Sequence, residues 1–150
     1  MATRDYTTRR QSIVNALVVK LKTIDGTSGF LSDVGNNVSP RLKFWDEVDD
    51  FPALHLNCGQ ETREYQGGGF KDRYLNITIR CYVNEEDAVD ALDKLLEDVE
   101  TVVEENSRLA YTDRQGAPQA THQISIVSID TDEGVLDPLG VGEILLEVRY

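Results

Sequence analysis

The chain has 150 residues, 40% of them apolar and 28% charged, with a net charge of −12. That is the length and composition of one globular domain, able to bury roughly 70% of its unfolded surface without a disulfide or metal staple. The charge argues against wrapping nucleic acid and against an anionic membrane surface, and no apolar run is long enough to span a bilayer.

In chain order, residues 1–7 read as a short arm, and Met1-Ala2-Thr3-Arg4-Asp5 leads into no apolar segment. No secretory signal is therefore expected, and the expected site of folding is the cytosol. Thr8 and Gln11 match a capping box. Ile13, Val14, Leu17, Val18, Leu21 and Ile24 form the apolar face of a first helix, with Gly26 as its stop. Arg9, Arg10, Lys20 and Lys22 fall outside that face, so the helix is basic. Phe30-Leu31-Ser32-Asp33-Val34 is expected as a short strand, Gly35-Asn36-Asn37 as a turn, and Phe44-Trp45-Asp46-Glu47-Val48 as one helical turn. Trp45, the only tryptophan, is either a lid on the core or an interface anchor.

A strand is expected from Ala53 to about Gln60, with Leu54, Leu56 and Cys58 on one face, running on to Gln66. Gly67, Gly68 and Gly69 then mark a hairpin tip flanked by Tyr65 and Phe70. The hairpin is longer than a compact sheet needs, so its tip is expected to project. Leu75, Ile77, Ile79, Cys81 and Val83 alternate with Tyr74, Asn76, Thr78, Arg80 and Tyr82, the two-residue period of a strand with one buried face. Cys58 and Cys81, each in a strand pattern, read as reduced core thiols.

Asn84 is the expected cap of a second helix, in which Ala88, Leu92, Leu95, Leu96, Val99, Val102 and Val103 form one apolar stripe. Residues 85–105 hold ten acids and one lysine, Lys94, expected on the opposite, solvated face. Residues 106–121 read as a long polar loop. The next strand, about 122–130, shifts parity between Ile126 and Val127, which predicts a bulge or burial on both faces. The last strand is regular, with Ile144, Leu146, Val148 and Tyr150 on one face. The sum is a single α+β domain over residues 1–150: two layers, with a mostly antiparallel sheet packed by two main helices.

Chemistry is sparse. No Ser-His-Asp order or cysteine–histidine pair stands in a supporting context, and no cofactor signature is present. Glycine-rich loops that cradle phosphate lead into a helix, whereas the 67–69 triplet leads into a strand. His55 and His122 lack zinc-ligand spacing. Asp130-Thr131-Asp132-Glu133-Gly134 with Asp137 starts like a calcium loop, but Gly134 takes a ligand position and no glutamate closes it. It reads as a polar turn. No catalytic, cofactor or metal residue is assigned.

The order of features nevertheless has a likeness. An N-terminal helix is followed by an irregular segment reaching Asp50-Phe51-Pro52-Ala53-Leu54. A long hairpin then enters a strand ending Arg80-Cys81-Tyr82-Val83. An acidic helix, a strand ending at Asp130, a turn with Asp137-Pro138-Leu139-Gly140 and a strand ending at Tyr150 complete it. This resembles the tail terminator (tail completion) proteins of long-tailed bacteriophages, the family of the lambda minor tail protein U. The resemblance implies a structural protein and not an enzyme. It implies a homo-hexameric ring on the head-proximal end of the tail tube, in a virion assembled in the host cytoplasm. Such a ring stops the tube at the length set by the tape-measure protein and offers a surface to the head-neck connector, while DNA passes through its lumen without specific binding. The implied partners are further copies of the chain, the tube protein, neck proteins and the tape-measure protein, with no membrane. The residues proposed for such contacts are Tyr65, Gly67, Gly68, Gly69 and Phe70 at the tip, Trp45, Arg9 and Arg10, and Asp132 and Asp137. Other phage neck or tube components share this size, and a ferredoxin-like small-ligand module shares the two-layer form.

Overall fold

The computed structural model describes residues 8–27, 29–42 and 47–150. Helix α1 spans Arg9–Leu21 and α2 spans Ala88–Glu105. Strands β1 (Val38–Ser39), β2 (Ala53–Tyr65), β3 (Lys71–Asn84), β6 (Gln123–Thr131) and β7 (Leu139–Arg149) form one sheet in the order β1-β2-β3-β7-β6. All pairings are antiparallel except the two-residue β1, which runs parallel to β2. A separate hairpin pairs β4 (Ala110–Thr112) with β5 (Pro118–Ala120).

The alternation in β3 and β7 decides the layers. Leu75, Ile77, Ile79 and Cys81 face Val148, Leu146, Ile144 and Gly142 across the ladder, and all six of the apolar branched side chains are fully buried. Both helices cover this one face. Ile13, Leu17 and Leu21 of α1 and Leu95, Val99 and Val103 of α2 join the strand residues in one cluster. Each fully buried aliphatic side chain contributes about 1.5–3 kcal/mol, so this shared face dominates the stability. Cys81 lies inside it as a free thiol, and burial pushes its pKa up; Cys58 is free and half-buried. Among the described residues no α-helix lies over the opposite sheet face. Its small apolar cluster joins Val48, Ala53 and Tyr82.

Several local expectations change. Thr8 Oγ1 caps α1 by accepting from the Gln11 N–H at 3.2 Å, but the Gln11 amide turns to Asn15 instead of back to Thr8, so only half the box forms. The helix ends at Leu21 rather than at Gly26. Asp25 accepts from both the N–H and the hydroxyl of Thr27, a local turn that competes with helix continuation and holds the Asp25 carboxyl below its usual range, the hydroxyl contributing most. Cap Asn84 is instead the last residue of β3, paired with Leu139; the cap is Asp87, which accepts from the Asp90 N–H.

The expected strand at 30–34 is absent. The Leu31 and Ser32 N–H groups are bound to the Asp98 carboxylate at 2.7–3.1 Å, and the Ser32 hydroxyl donates to it as well, so no ladder forms there. Asp98 is therefore an acid on the buried side of α2, 3% exposed, against the expectation that the helix acids all face solvent. The expected loop at 106–121 contains the β4–β5 hairpin, anchored by buried Leu109 and Tyr111. In β6 the parity shift is a bulge between Ile126 and Ser128, which returns Ile129 to the register of Ile144. Trp45 and most of the expected turn at 44–48 lie outside the described residues.

Candidate interaction surfaces

The β2–β3 hairpin forms an arm at one end of the sheet. Its ladder reaches Tyr65 opposite Lys71, past Arg73, which bonds the last residue of the chain through Tyr150. The tip turns through Gly67–Gly69, with Gly68 at φ 80° and Gly69 at φ 84°, angles that residues with a Cβ resist. Tyr65 is 73% and Phe70 74% exposed. The tip thus brings together all five residues proposed for it, as two aromatics on an adaptable glycine turn.

Arg9 and Arg10 stand at the base of the arm and are half-buried, not on a free basic face. Arg9 donates to the Tyr111 hydroxyl at 2.8 Å and lies 5.1 Å from the Tyr150 ring centre, and Arg73 stacks on the same ring at 5.5 Å. Arg10 donates to the Gly59 carbonyl, inside the irregularity of β2. The Tyr150 hydroxyl donates to Glu61, which also takes Arg63 at 2.8 Å. Burial, and then this bond, push the Tyr150 hydroxyl up to about 12. Burial works against the Glu61 carboxylate, yet the bonds from Tyr150 and Arg63 outweigh it and hold its pKa low. The cations are thus engaged by the fold itself.

At the other end of the sheet, Asp132 and Asp137 organise the β6–β7 turn. Asp132 accepts from the Leu136 and Val141 N–H groups, and Asp137 accepts from the Ala88 N–H at the start of α2. Among the described residues no group of three or more His, Cys, Asp or Glu side chains gathers as a metal set. The turn is a hydrogen-bonded polar connection with exposed Val135 and Leu136 beside it.

Among the described residues both long sides of the sheet are largely open. Among the described residues nothing pairs with the outer side of β6, and β1 covers only Leu54 and His55 of β2.

Compared with known proteins, residues 7–150 match a family model described as Bacteriophage Tail Tube Terminator Protein. The chain belongs to this family of phage tail terminators. It is 32% identical over 149 residues to the tail tube terminator protein p142 of Escherichia phage T5, covering 94% of this chain and 92% of that one. Its fold is similar to that of a chain in the virion of a native gene transfer agent particle, with a TM-score of 0.57 over 93% of this chain and 92% of that chain, at 8% identity. The match is to tail tube terminators as such; the narrower kinship with the lambda minor tail protein U stays a resemblance. This terminator is a virion component, and none of its described helices is long and apolar enough to cross a membrane.

The terminator's uncovered sheet face carries Arg80, Glu143, Glu147, Arg149, Asp72 and Asp130. Arg80 pairs with Glu143 at 3.4 Å and Arg149 with Asp72 at 3.1 Å. Spacing alone contained the signal for Asp98, which falls three residues after Leu95 and four before Val102, on the apolar stripe. The aromatic–arginine cluster carried no such signal, because its members come from α1, β2, β3, β4 and the chain's last residue.

Proposed function

We propose that residues 1–150 form one tail-terminator domain, six copies of which close into a ring on the head-proximal end of the tail tube. The ring stops tube growth and presents a surface to the neck. Its role is assembly, not catalysis. The observation that carries the reading is the pair of unlike open edges, β2 on one side of the sheet and β6 on the other. An open edge is a template for pairing with another chain, and two different edges meeting head to tail make a contact that closes into a cyclic oligomer. β6 runs antiparallel to β2 in this sheet order, so neighbouring copies in one orientation bring the two edges together in antiparallel sense.

In such a ring the uncovered sheet face lines the lumen and the helices lie outside. The acids of α2 then stand away from the passage. The lumen wall instead carries Glu143, Glu147, Asp72 and Asp130, and its two arginines are already paired with acids. DNA passes without being held, because non-specific binding requires free cations for the phosphates. The arm, with Tyr65 and Phe70 at its tip, reaches toward the last ring of the tube and its tape-measure protein, aromatic side chains being the usual anchors of interface energy.

Electron microscopy of the purified protein, alone and with tubes, tests the reading. Rings with an open centre, in solution or on tube ends, are expected. A monomer by light scattering that also leaves tube ends bare would reject it.

A further inference from the structure

The end of the sheet opposite the arm carries a second exposed apolar surface. Val135 is 83% exposed, Leu136 43% and Val89 50%. The turn bearing the first two is fastened to the helix bearing the third. The Glu85 N–H donates to the Pro138 carbonyl at 3.0 Å and the Ala88 N–H to Asp137 at 3.3 Å. Gly134 lies so close to α2 that a Cβ there would come within 3.2 Å of a Val89 methyl. Three aliphatic side chains held on one joined surface have the make-up of an interface centre.

The surround is of one sign. Residues 85–93 and 130–137 together hold nine acids and no cation. Lys94, just beyond, is engaged by Asp90 at 2.9 Å. Such a rim repels DNA and the same end of a second copy. The arm end of a second copy does not neutralise it, because Arg63, Arg149, Arg9 and Arg73 are held by Glu61, Asp72 and the Tyr150 ring, and Lys71 lies over the Tyr65 ring. Among the described residues, the exposed cations Lys20 and Lys22 flank a single exposed aliphatic, Val19, and Arg41, Arg108 and Arg114 have no exposed large aliphatic within five residues along the chain. That is too small a surface to cover three aliphatics and nine acids. The complement that fits is an apolar centre ringed by free lysine or arginine, which the described residues of a second copy do not supply.

We infer that this end is the docking surface for a head-side neck protein of that chemistry. The inference rests on the tail-terminator reading above, in which the arm end meets the tube. The 14 residues of β3 set the two ends roughly 45 Å apart, so the turn end is the one left facing the head.

Two variants test it in phage lacking the wild-type protein: Val135→Ser with Leu136→Ser, and Glu85→Lys with Glu86→Lys and Asp93→Lys. All five positions are exposed, so unchanged circular dichroism and unchanged rings are expected. Tails should keep normal length, while tails joined to heads fall about tenfold or more, as for loss of an interface anchor. Joining at wild-type level would overturn the inference. So would overlong tails, which assign the surface to the tube, or loss of the ring, which assigns it to a second copy. The tail-terminator reading fails separately, if phage with no copy of the protein make normal-length tails joined to heads.

Discussion

The arm end and the turn end are both centred on exposed apolar side chains, yet they treat charge in opposite ways. At the arm end, arginines from α1, β2, β3 and β7 are engaged by Tyr111, Tyr150, Glu61 and Asp72. At the turn end, Asp132, Asp137 and Asp87 bind backbone amides, while Glu85, Glu86 and Glu133 stay exposed. Charge at the arm end cements the fold, and charge at the turn end is presented outward. Formal charge along a helix therefore says little about which charges a partner meets: the basic first helix has its two arginines engaged inside the subunit.

The largest effect is expected at Tyr150, 6% exposed and holding Arg9, Arg73 and Glu61 at once. Tyr150→Ala should cost about 3 kcal/mol or more, as for other buried aromatic truncations, read from urea unfolding. A cost under about 1 kcal/mol would mean that the arginines are held without the ring. Tyr150→Phe separates the hydroxyl from the ring. Its raised pKa makes the hydroxyl's contribution complete below the unfolded value near 10 and lost as pH rises toward about 12. The Glu61 contribution has the opposite sense: its folded pKa is lowered, so it is present above the unfolded value near 4.3 and lost as pH falls through the folded one. Tyr150→Phe should remove the alkaline loss and shrink the acid one, Arg63 remaining.

A smaller effect is expected where the turn end joins its helix. A Cβ at Gly140 would lie 2.6 Å from a Val83 methyl and 3.2 Å from the Ala88 carbonyl. Gly140→Val should therefore destabilise by about 2 kcal/mol through overpacking, seen as a lower melting temperature. An unchanged melting temperature would show that α2 and β7 are not held this closely.

The smallest effect on stability, and a large one on assembly, is expected at the arm tip. Tyr65→Ser with Phe70→Ser should stay within about 0.5 kcal/mol of wild type, because both side chains are exposed. Phage carrying only this variant should nevertheless make overlong tails or tails that fail to join heads. Full rescue would reduce the tip to a chain reversal.

Elements whose signal is periodic could be read from the residues alone. The alternation of residues 75–83 and 144–150 and the stripe from Ala88 to Val103 are local records of which face is buried, since backbone geometry repeats every two or 3.6 residues. The hairpin tip and the β6 bulge were legible for the same reason, as interruptions of a period. Whatever depends on distant partners was set by the packing of the elements. Leu31 and Ser32 leave the strand state because Asp98, 66 and 67 residues away, takes their amides. The β4–β5 hairpin shows no alternation because only Tyr111 of its strand residues is buried, against the ring of Tyr150. Arg9 has the composition of a surface cation and becomes an internal one only where α1 crosses Tyr111 and Tyr150. A periodic pattern reports burial along one element, whereas the partner of a single polar group is set by the packing of several.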